Sequence, residues 1–284
     1  MKKLFIISSL VSILSIAFVY RFNAVDRSGL VLPTCTLDRV IETKIDFYVT
    51  DDVSDNVSMM NLQERISKYI NKANLILSNS CIPIKRSLGK LETIDTSTIK
   101  LEELESTKYQ PLRFASVAQE ILKKIGKDNL IQYYSKKPMH YFVLVYGEKF
   151  KVHGSSIIGS VDPNISNSMV VLDYYSSNHH LEHELGHLAG ALHKNSDRTI
   201  ALRNFYLNSD EKVDIIKPYS GGFACSGHST VMYNGGASKY PNMVLDVYSS
   251  PDIKFNGKPC GDKEKANNQK VMVEYSKKLS SNFP

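Results

Sequence analysis

Residues 183–193 read HELGHLAGALH. His183 and His187 are four apart, so on a helix both rings project from one face and can share a metal ion. At about 100° per residue, Leu181, Leu185 and Leu188 fall on nearly the opposite side. Packing and ligation therefore use separate faces. Gly190 accepts a positive φ at little cost and can end the helix in a left-handed cap. The chain then doubles back, and His193 can approach the same ion from below. Three neutral imidazoles with a fourth position open to water suit a catalytic zinc ion. Glu184, at the edge of the metal face, can take a proton from that water and hand it to a leaving amine. That is peptide hydrolysis without a covalent intermediate. Five prescribed residues in fixed order should arise by chance in about one chain of this size in ten thousand. A surface helix with scattered histidines does not account for them.

Two neighbouring histidines compete for the same role. His179 and His180 precede His183 by four and three residues, so a ligand set shifted towards the N-terminus is conceivable. It would leave Gly190 and His193 without a purpose, so both are read as supporting or surface groups. His140, His153 and His228 stand alone and are read as structural. Two rival arrangements share the motif. In one, a downstream Glu replaces His193 as the third ligand. In the other, an exported zinc-binding module has no turnover; Glu184 argues against it, since metal storage needs no base beside an open site.

Several elements must position this helix. Lys44 to Thr50 alternates like a strand, with Ile45, Phe47 and Val49 on one side. Asn61 to Ser78 has the period of a helix, with Leu62, Ile66, Tyr69, Ile70, Ala73 and Leu77 on one face. Ile82 to Leu91 reads as a second strand, weakened by Pro83 and Gly89. Phe114 to Ile125 is helical, and Met139 to Tyr146 is an apolar run suited to a buried central strand. Ser156 to Val161 and Met169 to Leu172 are short strands joined through Asp162-Pro163-Asn164. The histidine helix is expected from Asn178, as N-cap, to Ala189. From Gly190 to Pro259 the chain reads as irregular, and Asp262 to Leu279 closes it as a helix. The alternation predicts an α/β upper lobe and a looser lower lobe, with the histidine helix between them.

The ends and the cysteines bear on location. Lys2 and Lys3 precede an apolar stretch from Leu4 to Tyr20, and Ser15-Ile16-Ala17 suits an export peptidase. Residues 1–17 therefore read as a signal peptide, or as an N-terminal anchor to about residue 21 if uncleaved. Residues 18–43 form a short extension and 44–284 the catalytic domain. Membrane contact is expected only if the N-terminal segment stays. The formal charge of +6 on 284 residues is a mild surplus, and no nucleic-acid partner is read from it. In an exported chain, four cysteines suggest two disulfides. Bracketing favours Cys35 with Cys81 and Cys225 with Cys260, though spacing alone does not prove the pairing. A sharper role for Cys35 is a thiolate that blocks the metal, but Leu32-Pro33-Thr34 lacks the residues that surround such a switch.

HExxHxxGxxH is the signature of the metzincin zinc endopeptidases, which this chain resembles most in their reprolysin-like (adamalysin-type) bacterial members. The resemblance runs from about residue 44 to 261 and is sharpest at 183–193. It implies a zincin-like α/β (α+β) fold with a twisted mixed sheet and helices above, and an irregular lobe with a C-terminal helix below. It implies one catalytic Zn2+ held by His183, His187 and His193, with Glu184 as the catalytic base. A methionine turn is implied beneath the metal, and Met232 in Thr230-Val231-Met232-Tyr233 is placed for it. Tyr248 to Gly261 is similar to the segment that follows that turn. Protein or peptide substrates would pair with an edge strand, for which Ser156 to Val161 is the candidate, and 233–250 would wall a pocket after the scissile bond. Lys194 departs from the acid usual after the third ligand. Tyr233 directly follows Met232, unlike the astacin tyrosine two places beyond it, and is not assigned a role. Nothing in the sequence places a structural calcium.

Overall fold

The structure, a computed structural model, describes residues 28–37, 39–97, 127–135, 138–150, 159–161, 166–193, 217–233 and 243–281. The expected signal segment, the helix expected at 114–125, the Asp162-Pro163-Asn164 joint, His153 and Lys194 lie outside the described residues.

Strand β1 (Leu30–Val31) precedes β2 (Ile41–Thr50), which starts three residues before its expected position. A short helix α1 (Asp51–Ser54) leads to the long helix α2 (Met59–Asn79). Ser58 caps α2, its Oγ accepting the Asn61 N–H at 3.3 Å. The expected stripe from Leu62 to Leu77 is buried along one face of it. Strand β3 (Ile84–Ile94) follows, starting just past Pro83, whose missing N–H cannot serve a ladder. Then come α3 (Lys127–Tyr133), β4 (His140–Tyr146), β5 (Gly159–Ser160) and β6 (Met169–Asp173).

These strands form one sheet in the order β3-β2-β4-β6-β5. The first four run parallel, and β5 closes the edge antiparallel to β6. On one face Ile45, Phe47, Val49, Tyr141, Val143 and Val145 pack against α2 and Leu181, Leu185 and Leu188. On the other, Tyr48, Phe142, Leu144 and Tyr146 pack with Tyr133 and Phe150. Because both faces are covered, β4 and the second half of β2 are buried on both sides, which explains why β4 is apolar without alternation. Truncating Phe47 to alanine here would cost about 3–5 kcal/mol.

The histidine helix, α4 (His180–Leu188), leaves the sheet after β6. Its N-cap is His179, with no side-chain cap, and not Asn178. Arg65 has taken Asn178 instead, its Nη1 donating to Asn178 Oδ1 at 3.0 Å. The stretch expected to be irregular holds two hairpins. β7 (Ala224–Cys225) and β8 (His228–Ser229) turn through Ser226 and Gly227, at φ 48° and 78°. β9 (Ser250–Phe255) and β10 (Lys258–Cys260) turn through Asn256 and Gly257, at φ 49° and 76°. Paired left-handed residues match the right-handed twist of flanking strands, and Asn-Gly is the strongest short hairpin signal. β1 adds to this lower sheet, with Leu30 opposite Phe255, so part of the N-terminal extension is built into the lobe.

The last helix, α5 (Asn268–Ser280), begins six residues later than expected. Asp262 Oδ1 takes the N–H groups of Glu264 and Lys265, which holds that stretch in a turn. Asn267 then caps the helix by accepting the Lys270 N–H at 3.1 Å. Tyr275 of α5 meets Tyr141 of β4, hydroxyl to hydroxyl, at 2.8 Å. The whole is an α+β, zincin-like fold with α4 between sheet and lower lobe.

Candidate metal centre

Successive residues of α4 serve four different neighbours. Leu181, Leu185 and Leu188 enter the core under the sheet. About 100° round, Glu182 and Gly186 both meet Tyr248, whose hydroxyl lies 3.0 Å from Glu182 Oε1 and 2.7 Å from where a Cβ on Gly186 would sit. Next come His183 and His187, and then Glu184 on the opposite flank.

The helix ends as the glycine suggested. Gly190 has φ 93°. Its N–H reaches His187 O at 3.0 Å, and Ala191 N–H reaches Gly186 O at 2.8 Å, the paired bonds of a Schellman cap. The chain thereby reverses and brings His193 back. His193 Nε2 lies 2.9 Å from His183 Nε2 and 3.0 Å from His187 Nε2. Among the described residues this is the one group of three that could hold a metal ion.

The ring nitrogens on the far side decide what the near ones can do. His183 Nδ1 lies 2.7 Å from Val231 O, and His187 Nδ1 lies 2.9 Å from Ala191 O. A carbonyl can only accept, so each Nδ1 carries the proton and each Nε2 presents a lone pair. His193 can supply at most one Nε2 proton, so the two close contacts cannot both be ordinary hydrogen bonds. A cation among the three removes that conflict. Tetrahedral ligation at about 2.0–2.1 Å would set the nitrogens about 3.3 Å apart, within a few tenths of those here. The donor set fits a metal. Burial holds His183 below its ordinary value despite the Val231 carbonyl, and burial with the neighbouring imidazoles holds His187 well below. Neutral rings are the ligating form.

Glu184 is buried, and burial pushes its carboxyl up to about 8. It lies against the backbone of β5: a Cβ on Gly159 would come 2.6 Å from Glu184 Oε1. Met232 is fully buried in the turn from Thr230 to Tyr233, closed by Tyr233 N–H to Thr230 O at 2.9 Å. Its sulfur is 3.0 Å from a Cβ position on Gly186, which places the turn directly beneath α4.

His179 and His180 stay outside the triad. Their rings stack on each other at 4.3 Å, and His180 Nδ1 turns to Ser177 O. His140 Nε2 sits 2.9 Å from Asp46 Oδ2, and His228 packs on Phe255. Cys35 is bonded to Cys81 and Cys225 to Cys260. These are the pairings that bracketing favoured, and they leave Cys35 no free thiolate to block the metal.

Three contributors escaped sequence reasoning. Asn268, fully buried at the start of α5, accepts the Leu192 N–H at 3.3 Å and donates to Leu192 O at 2.9 Å, gripping the backbone just before His193. Gly159 makes room for Glu184. Arg86 reaches Glu182, one residue before the first ligand. Only the tandem Asn267-Asn268 at a helix start was a visible signal.

No family model and no curated protein matches the chain. Among solved structures, a chain from a chaperone–substrate complex superposes with a TM-score of 0.56 at 19% identity, over 87% of this chain and 35% of its own. That is a likeness of fold. Metalloproteinase-II from Bacteroides fragilis superposes at a TM-score of 0.36 and 15% identity, over 86% of this chain and 56% of its own. The chain thus spans about a third of the first and just over half of the second.

Disulfides form and persist where the surroundings are oxidising. No helix among the described residues is long and apolar enough to cross a membrane.

Proposed function

We propose that this chain is an exported, zinc-dependent endopeptidase of the metzincin type, with reprolysin-like organisation. The observation that carries the reading is the convergence of three Nε2 atoms, two of them held as lone-pair donors, beside a buried carboxylate one residue from the first ligand. His183, His187 and His193 would hold the ion. Bound zinc supplies a Lewis acid that lowers the pKa of water to about 7 and polarises a carbonyl. Glu184 accepts the proton of the attacking water and delivers it to the leaving amine. Its desolvated pocket favours holding that proton between the two transfers. Strand β5, at the sheet edge beside Glu184, would align an extended peptide, which makes proteins or peptides the substrate class. The Thr230–Tyr233 turn supports the floor with Met232 and orients His183 through the Val231 carbonyl. The two disulfides support export.

The test is cleavage of an unfolded protein by the metal-loaded chain, with Glu184→Gln and His193→Ala alongside. Glu184→Gln should keep one zinc per chain and lose about 10²–10⁴-fold in kcat. His193→Ala should lose the metal. Undiminished cleavage by Glu184→Gln would remove Glu184 from the mechanism, and unchanged metal affinity in His193→Ala would refute the triad.

A further inference from the structure

Arg86 and Glu182 form an ion pair in which neither side chain has any solvent exposure. Arg86 Nε donates to Glu182 Oε2 and Nη2 to Glu182 Oε1, each at 3.1 Å, a two-pronged fork. The fork is itself braced. Arg86 Nη1 donates to Thr43 Oγ1 at 3.1 Å, and the guanidinium lies 5.2 Å from the Tyr141 ring centre. The backbone of Arg86 is gripped by Asn74, which accepts its N–H at 2.7 Å and donates to its carbonyl at 2.9 Å. On the other side the Tyr248 hydroxyl lies within 3.0 Å of both Glu182 Oε1 and Glu182 O. Strands β2, β3 and β4, helix α2 and the segment before β9 thus converge on one carboxylate of α4.

Stability alone does not explain such a pair. Removing two charges from water is costly, and apolar side chains of similar volume often serve as well or better. Helix α4 already has its leucines to anchor it. Leucines, however, tolerate small rotations and slides, whereas a planar fork has one register. Side-chain tips stand about 5–6 Å from a helix axis, so a rotation of about 10° moves them by about 1 Å. Misplacement of that size can cost about 10²-fold in rate.

We propose that the Arg86–Glu182 fork is a positioning device that sets the rotation of α4 and so aims His183, His187 and Glu184 together. Arg86 and Glu182 are positioning residues; neither touches the reacting atoms. The inference rests on the metal-centre reading above.

The experiment uses the full chain loaded with Co2+, whose visible spectrum reports ligand geometry. The variants are R86M/E182L, which removes both charges at similar volume, and R86K, which keeps the charge and loses the fork. The double variant should fold with a metal-free Tm at or above that of the parent, yet show a shifted cobalt spectrum. Its kcat should fall about 10²-fold with KM within about threefold. R86K should show the same shift and a smaller loss of kcat. Should the double variant fail to fold, R86K decides. An unaltered cobalt spectrum and kcat in whichever variant folds overturns the proposal and leaves the metal centre intact. Failure of the parent chain to take up Co2+ at all would instead refute the metal-centre reading, and this inference with it.

Discussion

Alanine at position 159 would set a Cβ 2.6 Å from Glu184 Oε1, 2.9 Å from its Cγ and 3.0 Å from its Cδ. Ordinary contact begins near 3.4 Å, so the carboxylate must withdraw by about 0.8 Å. The strain falls on the proposed general base, while His183 and His187 lie on another face of α4 and keep their backbone acceptors. A misplacement near 1 Å costs about 10²-fold, so Gly159→Ala should lower kcat by about 30- to 100-fold with zinc content unchanged. The assay is steady-state cleavage of a peptide substrate beside metal analysis of the same sample. Glu184→Asp supplies the control, because its carboxylate stops one methylene short and leaves room for the methyl. In that background Gly159→Ala should cost less than about threefold further. If instead Gly159→Ala cleaves within about threefold of the parent chain, the close packing does not seat the base. An equal loss in both backgrounds would show that the methyl obstructs substrate and not Glu184.

Removing the Cys225–Cys260 bridge, which spans 35 residues, should cost about 4 kcal/mol by loop-closure entropy, or about 8–16 °C in Tm. Calorimetry of the double alanine variant measures this, and a change under about 2 °C would refute it. Since Cys225 leads through β8 to Val231, zinc affinity should fall with it. Asp46 gives a pH signature. Burial would raise its carboxyl, but the His140 hydrogen bond, the Lys90 N–H and the nearby positive charges outweigh burial and hold it below the usual value. A depressed carboxyl contributes stability that is complete above its unfolded value near 3.9 and fades as pH falls through the folded one. Asp46→Asn should therefore cost about 1–3 kcal/mol at pH 6, read by urea unfolding, with the gap narrowing below about pH 4. A gap that stays constant into that acid range would remove Asp46 as its source.

Local pattern determined much of this protein. The helix period of residues 181–188 put two imidazoles on one face and three leucines on another, and Gly190 just beyond could reverse the chain there. The α2 stripe and the unbroken apolar run of β4 were equally legible, because burial of one face or of both leaves its own spacing. The Asn256-Gly257 turn was present in the sequence too, but β9 opens on Ser250-Pro251 and β10 has only three residues, so no matched alternation flanks it. What no spacing encodes is which side chain of one element meets which of another. Val231 orients His183 from 48 residues away, Asn268 grips Leu192 from 76, and Arg86 forks Glu182 from 96. Gly159 matters only because β5 is folded against Glu184. Periodicity states how much of an element is hidden from water. The partner it is hidden against depends on the register of the sheet and the docking of the lower lobe, which only the assembled chain decides.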